Sequence, residues 1–258
     1  KMKKKTLIVG GDSKMSRYLV KRFKEKKIDY LLTTRRKKKM NNKNIFLNLL
    51  DLKKINIPND INSAIILAGI DGENNSKREY KNAKNISGIA IPYLIKELIK
   101  KNIFVIYLST MSIYNKNSLY GNLRLLAEKK ILNKKGKKYN KKISIIRPSK
   151  NVILNNSLIK WLLEMRKRNY SNYFQPILFS DTVNFILKIV QQEKEGIFNV
   201  IGKKIFYYKS FKNNNLNQNQ KTKIEYKNNF KINKPTLTKI IGNKKIKNFI
   251  LKNLNERN

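Results

Sequence analysis

Short β-branched apolar runs alternate with amphipathic stretches along most of the chain, and this alternation leaves few folds open. Thr6–Gly10 (TLIVG), Asp29–Thr34 (DYLLTT), Ile45–Leu49 (IFLNL), Ser63–Gly69 (SAIILAG), Phe104–Thr110 (FVIYLST), Ile143–Pro148 (ISIIRP) and Gly196–Ile201 (GIFNVI) read as strands. Most lack a polar alternate residue, the pattern of strands buried on both faces. Ser13–Lys27 carries Met15, Leu19 and Phe23 at helical spacing, which is one helix face. Ile86–Lys101 places Ile91, Leu94, Ile95, Leu98 and Ile99 on one side, and Tyr120–Leu132 does the same with Leu123, Leu126, Ala127 and Ile131. Leu158–Arg168 and Asp181–Gln191 are further amphipathic helices, the second expected to be capped by Asp181 and Thr182. Strand–helix–strand alternation predicts an α/β fold: a Rossmann-like, doubly wound parallel sheet. In such a sheet ligands sit at the carboxyl ends of the strands.

The division expected is a dinucleotide-binding domain over residues 1–150, completed by about 181–202. Residues 151–180 and 203–258 would form a smaller C-terminal lobe for substrate. Lys212–Asn233 is rich in Asn, Lys and Gln and reads as loop, and Pro235–Leu254 reads as short helices.

Composition narrows the chemistry. The 258 residues contain no Cys and no His. That excludes disulfides, thiolate and imidazole nucleophiles, Ser-His-Asp triads and His/Cys zinc sites, and no metal site is expected. Lys and Arg number 59 against 16 Asp and Glu, a net charge of +43. Asn is also in excess, about one residue in seven, and Ile is abundant. Lys, Asn and Ile rising together point to drift toward A/T-rich codons. Selection for phosphate contacts would raise Lys and Arg alone. The charge is therefore read as a solvated basic surface that attracts anionic ligands, not as a nucleic-acid interface. No apolar run approaches the roughly 18–20 residues of a membrane span, and a cytoplasmic protein is expected.

Two turns carry the candidate site. Gly10-Gly11-Asp12-Ser13-Lys14-Met15-Ser16 lies between the first strand and first helix, where a dinucleotide fold holds diphosphate on backbone N–H groups. In a G-x-x-G-x-x-G spacing, Ser13 and Ser16 occupy the second and third glycine positions. Taken alone, the segment also fits an ordinary tight turn. The second strand ends in Thr33-Thr34-Arg35-Arg36 with no acid beside it in sequence. Arginine suits a phosphate dianion and an acid suits ribose hydroxyls, so NADP(H) is expected over NAD(H). After the fifth strand, Thr110 and then Tyr120-Gly121-Asn122-Leu123-Arg124 place a hydroxyl, a phenol and a cation in order. Tyr120 and Arg124 are one helical turn apart. A cation there is expected to lower the phenol pKa from about 10.

These blocks, with FLNLLD at Phe46–Asp51, LAG at Leu67–Gly69, Asn85-Ile86-Ser87-Gly88, YLSTMSIY at Tyr107–Tyr114, YGNLRLLAE at Tyr120–Glu128, IIRPS at Ile145–Ser149, FSDTV at Phe179–Val183 and GIFNVIG at Gly196–Gly202, resemble the extended short-chain dehydrogenase/reductases. The resemblance runs from Lys5 to about Phe211 and is nearest to the dTDP-4-dehydrorhamnose reductase-like, sugar-nucleotide-binding group. It implies a sugar-nucleotide substrate, a role in polysaccharide biosynthesis, and a homodimer as one possible assembly. It assigns Thr110, Tyr120 and Arg124 as catalytic, with Arg124 standing where the family has Lys. It also assigns Gly10, Gly11, Asp12, Ser13, Met15, Ser16, Arg35, Arg36, Asn48, Leu49, Ala68, Gly69 and Pro148 to the cofactor, along with Tyr120 and Arg124. Asn85 would be a structural hydrogen-bonding residue near the site. The implied activity is reduction of a 4-keto group. The alternatives are an epimerase or dehydratase, and a catalytically weakened relative that binds NADP(H) or nucleic acid. Arg124, Ser16 and the short Met111–Leu119 loop are the departures that favour the last.

Overall fold

In the computed structural model, residues 5–51, 57–132, 142–167, 173–203, 205–206, 236–242 and 244–255 are described. The chain enters as β1 (Lys5–Val9), whose apolar residues are buried on both faces. It turns into α1 (Lys14–Glu25), where Ser13 is the N-cap and its hydroxyl accepts from the Ser16 N–H. Met15, Leu19 and Phe23 form the buried face of this helix, and full burial of side chains of this size is worth about 1.5–3 kcal/mol each. Then follow β2 (Tyr30–Thr34), β3 (Asn44–Phe46), β4 (Ile61–Ile66), two short helices α2 (Glu73–Arg78) and α3 (Tyr80–Asn85), and α4 (Ile91–Lys100). The helix expected from Ile86 opens with a π-helical turn over Ile86–Ala90. There Gly88 leaves room for Leu126, which a Cβ would approach to 3.0 Å.

The chain continues through β5 (Phe104–Leu108), a 3-10 turn (Met111–Tyr114), α5 (Leu119–Leu132) and β6 (Ile143–Pro148). The remaining elements are β7 (Lys150–Val152), α6 (Asn156–Lys167), β8 (Tyr173–Phe174), β9 (Pro176–Leu178), α7 (Phe179–Gln192), β10 (Gly196–Gly202), β11 (Ile205–Phe206), β12 (Thr236–Ile241) and α8 (Lys244–Asn255).

Eight strands form one sheet in the order β12-β10-β6-β5-β4-β1-β2-β3, every neighbouring pair parallel. This is the Rossmann-like architecture the alternation predicts. One apolar cluster covers the face under α4 and α5, with Ile91, Leu94, Leu98 and Ala127 against Leu7, Ile66 and Val105. A second covers the face under α1 and α7, with Leu19, Phe23, Val183 and Ile186 against Ile8 and Ile106. A third joins β7, α6 and α8 through Val152, Ile159, Leu162, Ile246 and Ile250.

Three expectations change. Residues 236–241 are a sheet strand and not helix, because Leu237 to Ile241 extend the ladder of β10 from Phe198 to Gly202. The helix of Asp181 begins at Phe179 without a side-chain cap. Asp181 lies in its first turn, and Thr182 is buried and donates to Asn151 Oδ1 at 2.7 Å. Asn85 is exposed at the end of α3 and makes no cap bond there. Residues 212–233 lie outside the described residues.

Candidate active site

The strand order sets the site. β1 lies between β2 and β4, so successive connections leave it in opposite directions and open a crevice at its carboxyl end. Along that edge, from β3 through β2, β1, β4 and β5 to β6, stand Asn48, Arg35 and Arg36, the Gly10 turn, Ala68 and Gly69, Thr110, and Pro148. At about 4.8 Å between strands the row spans roughly 24 Å. The residues expected to hold a dinucleotide thus lie along one edge of the sheet.

The turn after β1 is built from backbone. Gly10 has φ +95, and a Cβ there would lie 2.8 Å from the Ala68 N atom. A Cβ on Gly11 would meet the Thr33 carbonyl oxygen at 2.8 Å. Both glycines let β1 close on its neighbours, a packing role that exists without any ligand. Gly10 N–H donates to Thr33 Oγ1 at 3.1 Å, and Gly11 N–H to the Thr33 carbonyl at 2.9 Å. At the start of α1 the N–H groups of Ser13 and Ser16 are taken by the Gly10 carbonyl and the Ser13 hydroxyl. Those of Lys14 and Met15 have no partner inside the helix. Ser16 is fully buried, and its hydroxyl has no hydrogen-bond partner among the described residues. A positive helix end and an orphaned hydroxyl beside it fit an anionic cofactor group. Met15 offers only its backbone, since its side chain is core.

Asp12 brings to β2 the acid that its sequence neighbours lack. Thr34 Oγ1 donates to Asp12 Oδ2 at 2.8 Å, and Lys39 Nζ to Oδ1 at 3.0 Å. Burial works against the carboxylate, but Thr34, Lys39 and the nearby Arg36 outweigh it and hold its pKa below the ordinary aspartate value. Arg35 and Arg36 are exposed beyond it. Further along the edge, Leu49 is core, while Asn48 ties its own turn by accepting from the Leu50 N–H at 3.1 Å.

The turn after β5 is built from side chains. Thr110 caps the 3-10 turn: its Oγ1 accepts from the Ser112 N–H and donates to Ser112 Oγ, both at 3.2 Å. The first turn of α5 lies directly on Ser112. A Cβ on Gly121 would come within 2.1 Å of the Ser112 carbonyl oxygen, so only glycine allows this seat. Glu73 fastens the same helix from α2, accepting from Ser118 Oγ and from the N–H groups of Leu119 and Tyr120, each at 3.1 Å. Burial alone would raise the Glu73 carboxyl, but these bonds, with Lys77 beside it, keep its pKa below the usual glutamate value.

Arg124 is only 4% exposed. Its Nη1 donates to the Ala68 carbonyl at 3.3 Å and reaches Tyr107 Oη at 3.5 Å. Its guanidinium carbon lies 5.3 Å from the Tyr120 ring centre. Gly69, at φ +145, makes room for the planar head, since a Cβ would be 2.8 Å from Nη2. Burial opposes the guanidinium charge, but Tyr120, Tyr107 and Asp71 outweigh it, and the group stays protonated. The expectation that Arg124 would bring the Tyr120 phenol down is corrected. Burial of the phenol pushes its pKa up, Arg124 opposes this only in part, and Asp71 adds to the rise.

Tyr120, Arg124, Ala68 and Gly69 therefore meet in one place, with the Gly10 turn in contact through Ala68, and Thr110 is tied to the same helix through Ser112, on which Gly121 sits. Arg35, Arg36, Asn48 and Leu49 lie apart toward β2 and β3, and Pro148 is buried at the end of β6. Sequence reading missed Asp71 and Glu73, and the contact of Arg124 with Tyr107. No motif marks Asp71 or Glu73, and the block that opens with Tyr107 does not announce its contact; tertiary proximity alone does. Among the described residues no cluster of acidic side chains could hold a metal, and no helix is long and apolar enough to cross a membrane.

No protein-family model and no curated protein matches the chain. Solved structures do. A dTDP-4-dehydrorhamnose reductase from Yersinia enterocolitica superposes with a TM-score of 0.63 at 13% identity, covering 98% of this chain and 99% of its own. A UDP-N-acetylglucosamine 4-epimerase from Bacillus cereus gives 0.59 at 20% identity, over 80% and 81% of the two chains. A short-chain dehydrogenase/reductase superfamily protein from Agrobacterium tumefaciens with bound NAD gives 0.62 at 11% identity, over 93% and 86%. Joined to the parallel sheet and the order of groups along its edge, these likenesses show that the chain has the fold of the extended short-chain dehydrogenase/reductases.

Proposed function

We propose that the chain is an NADP(H)-dependent reductase of a nucleotide-activated sugar and that it reduces a 4-keto group. The observation that carries this reading is a phenol held neutral beside a buried guanidinium at the carboxyl end of β5. Reduction of a ketone needs a proton donor, and a raised phenol pKa keeps the proton on Tyr120 at neutral pH. Structural likeness to both a reductase and an epimerase supports the broader class of sugar-nucleotide oxidoreductase or epimerase.

A bound nicotinamide would supply the hydride. Thr110 would orient the carbonyl oxygen, Tyr120 would protonate it, and Arg124 would stabilise the phenolate left behind. Lys14 and Met15 N–H groups and the Ser16 hydroxyl would hold the diphosphate. Arg35 and Arg36 would take the 2′-phosphate, since the Asp12 carboxylate beside them is already engaged by Thr34 and Lys39. The lobe of α6, α8, β7 and β9 would receive the sugar nucleotide.

Calorimetric titration with NADPH and NADH, followed by NADPH consumption with a panel of nucleoside-diphosphate 4-ketosugars, tests this reading. NADPH should bind about 10- to 100-fold more tightly, the worth of charged hydrogen bonds to one phosphate. At least one ketosugar should consume it. Oxidised cofactor that stays bound without net consumption would make the protein an epimerase instead. No binding of either dinucleotide would leave the fold alone standing.

A further inference from the structure

Ser109, just before Thr110, and Tyr114, at the end of the 3-10 turn that Thr110 caps, are both fastened to one buried ion pair that the mechanism does not use. Tyr120, Arg124 and Glu128 follow one another down a single face of α5. Glu128 meets Arg147 of β6, and both side chains are completely shielded from solvent. Arg147 Nε lies 3.0 and 3.2 Å from the two carboxylate oxygens, and Nη2 lies 2.5 Å from Oε2. On one side of Thr110, Ser109 Oγ donates to Glu128 Oε1 at 2.5 Å. On the other, Arg147 Nη1 donates to Tyr114 Oη at 2.9 Å. Tyr114 Oη in turn donates to Asn199 Oδ1 at 3.3 Å, and Asn199 Nδ2 reaches Thr238 Oγ1 at 3.4 Å.

A wholly buried ion pair stabilises a fold poorly, because desolvation of the two charges offsets their attraction, and an apolar pair of similar volume serves as well or better. An apolar pair has no directions, however. Only the charged pair can pull Ser109 and Tyr114 toward fixed oxygen and nitrogen atoms.

We propose that Glu128 and Arg147 are positioning residues for Thr110, clamping the turn on both sides of its hydroxyl and registering that turn against the helix of Tyr120 and Arg124. This rests on reading Thr110 as the group that orients the substrate carbonyl. Glu128→Gln would leave a buried guanidinium unpaired and lower the melting temperature whatever the role of the pair, so it decides nothing alone. The deciding protein is the full chain carrying Glu128→Met with Arg147→Met, in which neither charge is left over. Three readouts apply: melting temperature, the carbon-13 methyl resonance of Thr110 (assigned through Thr110→Ser), and steady-state kinetics with NADPH.

The expected result is retained melting, a displaced or broadened Thr110 resonance with Thr6 unmoved, and kcat lower by about 10- to 100-fold, the cost of misplacing a group by about 1 Å. KM for NADPH should not change. A folded double variant with the Thr110 resonance and kcat of wild type overturns the proposal. Should the double variant fail to fold, Ser109→Ala and Tyr114→Phe each cut one arm and are judged by the same readouts. Should wild type reduce no ketosugar, the reductase reading falls by itself. The Thr110 resonance then decides the positioning claim: displaced, it supports the clamp, and unmoved, it overturns it.

Discussion

The turn after β1 and the turn after β5 stand at the same sheet edge with β4 between them, the first meeting the helix that follows the second through Ala68 and Arg124, yet they are made differently. The first is a backbone device. Its geometry needs the positive φ of Gly10 and the close approaches of Gly10 and Gly11, and the groups it leaves without a partner inside α1 are N–H donors. Side chains further along the turn are free to take local roles: Ser13, at a position where the resemblance expects glycine, is the N-cap of α1. The second turn is a side-chain device, held by Glu73 from above, by the Glu128–Arg147 pair from below, and by Gly121 at the seat. There a change at one position requires answering changes around it. Arginine at 124 fits because Gly69 and Tyr107 accommodate its head. The difference teaches that substitutions at a backbone site are judged singly, and those at a side-chain site only with their neighbours.

The sharpest way to break this contrast is Tyr120→Phe. Turnover should fall by about 10²- to 10⁴-fold, the usual contribution of a general acid, while calorimetric NADPH affinity stays at the wild-type value. Loss of cofactor binding together with turnover would mean that the two turns are one structural unit.

Ser16→Ala sharpens the backbone side. The orphaned hydroxyl costs stability in the free protein, so its removal should raise stability by about 1–3 kcal/mol in chemical denaturation. NADPH affinity should fall at the same time. A variant that is stabilised and binds NADPH unchanged would show that the hydroxyl never served the cofactor.

The smallest effect is expected at Glu73→Gln, which weakens a helix cap worth about 0.5–2 kcal/mol. Because the folded carboxyl titrates below its unfolded value of about 4.3, its stabilisation is complete above that pH. It is lost as pH falls through the lower folded value. The melting-temperature gap between wild type and variant should therefore be widest at neutral pH and close on acidification. A gap that persists below the folded pKa would place the loss in packing and not in the charge.

Much of this was readable beforehand. β1, β2, β4, β5, β6 and β10 lie where apolar runs announce them, β3 ends at Phe46 although its apolar run continues to Leu49, and Met15, Leu19 and Phe23 face inward as their spacing requires. The short strand β12 escaped because Thr236–Ile241 follows a polar stretch and mixes Lys and Thr with its apolar residues, so nothing local marks a strand. The pairing partner β10 decides it. At the candidate site, the placement of Thr110 after β5 and of Tyr120 and Arg124 on one helix was legible, because their spacing implies one strand end and one helix face. The direction of the Tyr120 shift was not, because burial is a property of the assembled fold and here exceeds the effect of the cation one turn away.

Sequence by itself determined the parallel α/β sheet, the edge that carries the candidate site and the identity of the phenol–cation pair, since these follow from periodicity and from neighbours within one helical turn. Only the tertiary structure decided how Asp12 is neutralised, where the Arg124 head rests and what clamps Thr110. Each of those depends on residues distant in the chain whose charges and volumes act on one another only after the strands have brought them together.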